Sequence, residues 1–201
     1  MLDGLPAVHG DVVFTVPGKK SPQEYVWRPD WANSLILITS RSTIPDVLKQ
    51  RIVVAIGLPG SGKSTYLQGL GVTAISSDAI RQLLADDPTV QSIHAQVFAT
   101  MRYLLRRRLV LKRPVSYMDA THLTVAERAP YVRMARAFRC DLEALFFDTP
   151  LDVCEERNRA RERVVPAGVI AEMRGKLIAP TLDEGFTRVT CVRPDPDSRT
   201  T

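Results

Sequence analysis

The sequence predicts an α/β domain, a parallel sheet with helices on both faces, and three observations carry the prediction. From Arg51 onward, short apolar, β-branched runs alternate with stretches of helical periodicity, the pattern of strand–crossover–strand units. Between the first such run, Ile52–Ile56, and the first helical stretch stands Gly57-Leu58-Pro59-Gly60-Ser61-Gly62-Lys63-Ser64-Thr65, which fits G-x-x-x-x-G-K-[ST]. Strand, glycine loop, helix is the context in which that spacing forms a phosphate cradle, the P-loop of nucleoside triphosphatases. Late in the chain an arginine-dense helical segment, Arg157-Asn158-Arg159-Ala160-Arg161-Glu162-Arg163, predicts a helical lid that carries arginine over the cradle.

The elements follow in order. Residues 1–50 read as an N-terminal extension with strands at Asp11–Val16 and Ser34–Thr39 around a Pro-rich stretch that holds Trp27 and Trp31; tryptophan is first of all a large apolar anchor, so this segment is packing or a surface for a partner or a second copy. Residues 51–193 form the main domain. After Ile52–Ile56, a helix opens at Lys63 and runs to Leu70, and Val72–Ser76 is a second strand. Asp78–Ala85 is a short helix. Asp87-Pro88-Thr89 punctuates before a long one, Thr89–Lys112, in which Ile93, Val97, Met101, Leu104 and Leu105 recur at helical spacing. Val115–Met118 is a third strand that ends at Asp119, followed by a helix at Thr124–Phe138 and a strand at Leu142–Phe147. Pro150 to Arg161 is helical, Val164–Ile178 holds a helix after Pro166, and Phe186–Val192 closes the sheet. Residues 194–201 read as a flexible tail.

Composition narrows the classes. The chain has 201 residues, 45% hydrophobic, with no low-complexity run, enough for one substantial core. Cys140, Cys154 and Cys191 are widely spaced and odd in number, which excludes a disulfide framework and a zinc site and points to a reducing compartment. No apolar run reaches membrane-spanning length and no signal-peptide pattern opens the chain, so it reads as cytoplasmic. The net charge of +5 is concentrated in Arg102 to Arg113 and in Arg157 to Arg163, clusters that suit either a polyanionic partner or a solvated face.

The residues of the loop have distinct tasks. Gly57, Gly60 and Gly62 let the backbone curl so that its N–H groups point inward at phosphate oxygens, and Pro59, Ser61 and Thr65 complete the ATP-binding loop. Lys63 reaches the β- and γ-phosphates of ATP and the Ser64 hydroxyl sits on Mg²⁺. After the second strand comes Ser76-Ser77-Asp78-Ala79-Ile80-Arg81. Asp78 there is either a general base for an attacking hydroxyl, with Arg81 on the same helical face, or a helix start in which Ser77 or Asp78 is the N-cap. Asp119, at the end of an apolar strand, is either a Mg²⁺ ligand through water or a solvent-capped strand end. His122 alone reads as a hydrogen-bonded structural residue. The arginines at 157–163 point in several directions from one helix, so at least one is free to face phosphates; an exposed charged helix is the alternative.

With these residues in place the sequence resembles the polynucleotide 5′-hydroxyl kinase family, which includes phage polynucleotide kinase and the kinase module of bacterial RNA end-healing enzymes. The resemblance rests on G-L-P-G-S-G-K-S-T, S-S-D-A-I-R, Asp86-Asp87, V-x-x-I-H-A-Q-V-F, M-D-A-T and E-E-R-N-R-A-R followed by V-P, and it spans residues 51–192. Parts of it are shared with small-molecule kinases and zeta-type toxins. It implies transfer of the ATP γ-phosphate to the 5′-OH end of RNA or DNA, with Asp78 as general base, Arg81 on the acceptor's phosphate, Arg161 as the lid arginine on the donor phosphates, Asp119 supporting the metal or acceptor site, and Val165-Pro166 as an apolar wall of the acceptor pocket. One departure stands out: the family has Asn after D-A-T where this chain has His122, whose neutral ring also offers one donor and one acceptor. Two other readings use the same residues, a metabolite kinase and a nucleotide-dependent binding module without catalysis.

Overall fold

The computed structural model describes residues 13–14, 25–26, 49–160 and 164–193, and the chain divides into two units, residues 1–43 and 44–201. In the first unit β1 (Val13–Phe14) pairs antiparallel with β2 (Tyr25–Val26). β1 falls within the strand expected at 11–16, β2 had no signal in the sequence, and the strand expected at 34–39 lies outside the described residues, as do Trp27 and Trp31.

In the second unit β3 (Arg51–Ile56), β4 (Ala74–Ser76), β5 (Val115–Asp119), β6 (Asp141–Phe147) and β7 (Arg188–Val192) form one sheet in the order β4-β5-β3-β6-β7, with every pairing parallel. The chain leaves β3 for the β4 edge, returns through β5 beside β3, and then crosses to β6 on the other side. Such a reversal opens a crevice beyond the carboxyl ends of the central strands. Register makes the crevice sharp: Ala55 lies beside Asp119 and Asp119 beside Ser76, so three strands end level and their following loops stand side by side.

Helices cover both faces, as the alternation of β3 requires. Ile52, Val54 and Ile56 face one core with Ile80 of α2 (Ser77–Ala85), Val97, Met101, Leu105 and Leu109 of α3 (His94–Val110), and Tyr131, Val132 and Ala135 of α4 (Val125–Phe138). Ala55 faces the other way, with Leu67 of α1 (Lys63–Gly69) and Phe147. Each buried Val, Leu, Ile, Phe or Met among these contributes about 1.5–3 kcal/mol relative to exposure. A third, small cluster of Leu58, Leu123, Cys154 and Ile170 seats α5 (Leu151–Arg159) and α6 (Ala167–Lys176) over the glycine loop.

β4 starts at Ala74 rather than Val72 and β7 at Arg188 rather than Phe186, and both ends of the long helix also depart from expectation. The long helix starts at His94 rather than Thr89, because the backbone N–H and the hydroxyl of Thr89 both donate to Asp87 Oδ1 at 2.7 Å and hold residues 87–89 in a side-chain-closed turn. It ends at Val110, two residues early, where Lys112 turns to a left-handed φ of 56°. No helix among the described residues is long and apolar enough to cross a membrane.

Candidate active site

The loop after β3 is fixed by close approach. Gly60 has φ 81°, and a Cβ there would lie 2.2 Å from the carbonyl oxygen of Cys154, so only glycine lets the loop pass under α5. Gly62 begins α1 at φ 94°; no side chain caps that helix and no acid stands in its first turn, leaving its N–H groups for an anion. The Lys63 ammonium folds back into the loop and donates to the carbonyls of Gly57 at 3.0 Å and Leu58 at 2.7 Å and to Ser61 Oγ at 3.3 Å. Those acceptors are uncharged, and a phosphate oxygen is a stronger one. Thr65 stands exposed in the first turn of α1.

Ser64 Oγ donates to Asp119 Oδ2 at 2.7 Å, so a hydroxyl and a carboxylate oxygen meet at the base of the crevice. No group of three or more His, Cys, Asp or Glu among the described residues could hold a metal ion alone. One hydroxyl and one carboxylate fit Mg²⁺ that keeps waters and phosphate oxygens as its remaining ligands.

On the neighbouring strand the hydroxyl of Ser76, at the extended end of β4, accepts from Ala79 N at 3.5 Å and is the N-cap of α2. The cap is therefore neither Ser77 nor Asp78. Asp78 accepts from Arg81 Nη1 at 2.9 Å, with its carboxylate 58% exposed. The Arg81 side chain is only 5% exposed, and its Nε is buried with no hydrogen-bond partner among the described residues. Pro59, Lys63, Ser64, Asp78, Arg81, Asp119 and Val165 all line one cavity of about 680 Å³. The sequence named these seven; His94, Phe98, Thr89 and Gln91 join them without having been assigned a role, as do Val169 and Met173 of α6. The His94 and Phe98 rings are 4.5 Å apart, tilted by 35°.

Val165 is held by a reciprocal clamp. Asn158 Nδ2 donates to its carbonyl at 2.7 Å and its N–H donates to Asn158 Oδ1 at 3.0 Å, the carboxamide itself being buried. Arg161 lies outside the described residues. The arginine seen at the glycine loop is Arg157, whose Nη1 would lie 3.7 Å from a Cβ on Gly62. Arg157 and Arg161 lie four apart in the sequence, a spacing that by itself does not rank them.

His122 turns away from the cavity. It is fully buried at φ 48°; Nδ1 donates to Ala55 O at 2.8 Å and Nε2 accepts from the Tyr131 hydroxyl at 3.0 Å. Burial pushes its pKa down to about 4, aided by the charges of Lys63 and Arg128 and opposed by the Ala55 hydrogen bond. The ring thus uses one donor and one acceptor, and with the Gly57 N–H to Thr121 carbonyl bond of 3.0 Å it welds the loop after β5 to the end of β3. Below it Arg128 is buried with every nitrogen engaged: Nε and Nη2 pair with Glu184 at 2.8 and 2.7 Å, and Nη1 donates to the carbonyls of His122, Leu123 and Ile178 at 3.0–3.1 Å.

Known proteins share this fold. The family model described as AAA domain matches residues 52–180, and the chain belongs to that family. A protein of Chloroflexus aurantiacus provisionally named a kinase superposes with a TM-score of 0.60 at 16% identity, over 77% of this chain and 90% of that one. A sugar kinase from Janibacter sp. HTCC2649 matches with a TM-score of 0.52 at 20% identity, over 72% and 85%. A chain of the Pnkp1/Rnl/Hen1 RNA repair complex matches with a TM-score of 0.54 at 19% identity over 64% of this chain, which spans only 44% of that longer one. At such identities the likeness is one of fold alone, that of a P-loop kinase-like α/β domain.

Proposed function

We propose that this member of the AAA domain family is an ATP-dependent polynucleotide 5′-hydroxyl kinase, with residues 51–193 as the kinase domain. The observation that carries the reading is the acceptor half of the cavity. Asp78 offers an exposed carboxylate, Arg81 a buried Nε with no partner among the described residues, and His94, Phe98, Val165, Val169 and Met173 a largely apolar, partly aromatic wall. A hydroxyl, an adjacent phosphate and a flat base match these three.

In the proposed reaction Lys63 exchanges its carbonyl partners for the β- and γ-phosphates, and Arg157 faces them across Gly62, with Arg161, four residues on in the sequence, as the second candidate. Ser64 and Asp119 would hold Mg²⁺, which supplies charge neutralisation on the phosphates. Asp78 aligns the 5′-hydroxyl and takes its proton as the oxygen bonds to the γ-phosphorus and the bond to ADP breaks. Arg81 grips the phosphate next to the reacting end and keeps Asp78 close to it.

Incubation with labelled ATP and a panel of 5′-OH oligonucleotides, nucleosides and amino sugars tests the reading. Label enters the oligonucleotides, and Asp78→Asn lowers transfer by roughly 10²–10⁴ while ATP still binds. Labelling of the sugars alone, or near-full transfer by Asp78→Asn, would overturn it.

A further inference from the structure

Four residues of α3 spaced by four, His94, Phe98, Arg102 and Arg106, form one ridge along the helix, since positions four apart are surface neighbours. The ridge changes character along its length. His94 and Phe98 line the cavity with their rings in contact, Arg102 is half-buried beside α4, and Arg106 is exposed. Neither arginine forms an ion pair with a described residue, and residues 94–113 contain no Asp or Glu at all. The acid of the adjoining helix, Glu127, accepts from Leu123 N at 2.7 Å. Two rings followed by two guanidinium groups lead out of the site over about 18 Å at 1.5 Å per residue.

We infer that this ridge is a track for single-stranded polynucleotide, binding the strand behind the reacting end, with bases on His94 and Phe98 and phosphates on Arg102 and Arg106. The inference rests on the kinase reading above and extends it from the strand's end to its body. Stacking platforms joined to a cationic groove are how sequence-independent single-strand binding is built. An acidic peptide would use the arginines but leave the rings idle; an isolated metabolite would reach neither arginine.

The test compares a nucleoside 3′-monophosphate with a 5′-OH decanucleotide as acceptors, at two salt concentrations, in wild type, Arg102→Gln/Arg106→Gln and Arg107→Gln. Arg107 is exposed and one residue off the ridge. Wild type prefers the decanucleotide in kcat/KM, and in the double variant that preference falls about tenfold. The salt slope for the decanucleotide becomes shallower by about 1.4, two contacts at ~0.7 each on a single strand. Arg107→Gln keeps the preference. Because the readout is a ratio between two acceptors, a general loss of folded enzyme does not mimic it. Three outcomes overturn the track and leave the kinase reading standing: equal efficiency of the two acceptors in wild type, equal loss on both in the double variant, or an effect of Arg107→Gln as large as that of the pair. Transfer to neither acceptor overturns both.

Discussion

Arg128 and Arg81 are both buried arginines near the start of a helix, and their surroundings differ in kind. Arg128 has a bidentate carboxylate partner and three backbone carbonyls, so each of its nitrogens is engaged inside the protein. Arg81 shares one nitrogen with an exposed carboxylate and keeps a buried Nε with no partner among the described residues. A buried donor without a partner costs about 1–3 kcal/mol, which evolution retains where a ligand repays it. The contrast separates a cation that holds the fold from one that faces a substrate, on satisfaction rather than on burial.

The same substitution at both positions tests this most sharply. Arg128→Met leaves Glu184 buried and unpaired, and urea denaturation is expected to show a loss of about 3–5 kcal/mol. Arg81→Met removes an Nε that has no partner among the described residues and one ion pair with an exposed carboxylate; its unfolding midpoint should stay near that of wild type. Equal destabilisation by the two would break the comparison.

His122 supplies the next effect, on the structural side. Its folded pKa of about 4 lies below the ordinary 6.5, so protonation favours the unfolded chain. The stability that the neutral ring contributes is complete above pH 6.5 and is lost as pH falls towards 4, by roughly 3 kcal/mol in all. His122→Asn should flatten that part of the stability profile, and an unchanged slope would move the titration to another group.

On the functional side, Arg81→Met should lower kcat/KM for a phosphate-bearing acceptor roughly ten- to hundredfold, the scale of a hydrogen bond to a charged group, while ATP affinity stays as it was. The smallest effect falls on the lid: Arg157→Ala should weaken ATP binding about tenfold and Arg159→Ala by less than twofold, since an exposed charge contributes little. Equal effects in a titration of both variants would remove Arg157 from the loop.

Legibility followed the range of the interactions. β3, the glycine loop and Asp119 stand in the sequence because a strand and a loop are encoded by neighbours. The start of α3 was misread because one carboxylate, that of Asp87, closes residues 87–89 into a turn where the helix was expected to begin, a competition that periodicity does not register. The N-cap fell to Ser76 because it depends on where β4 stops. Arg157 over Gly62, the clamp of Asn158 on Val165 and the inward turn of His122 join residues that no local pattern relates. His94 and Phe98 were on view in the motif V-x-x-I-H-A-Q-V-F, but only the cavity gives them a side to face.

The partnership of Arg128 with Glu184 also sets an order in time. The two are separated by 56 residues, and Glu184 is the later to be made. At translation rates of about 5–20 residues per second, the guanidinium waits roughly 3–11 s for its counter-charge, and burying it before then would strand a cation in the core. The loop that carries His122 and Leu123, tied to that same guanidinium, therefore locks against β3 only after the chain has grown past residue 184. Nascent chains halted short of that point should hold β3 to β6, with β7 still to come, but leave the crevice unmade.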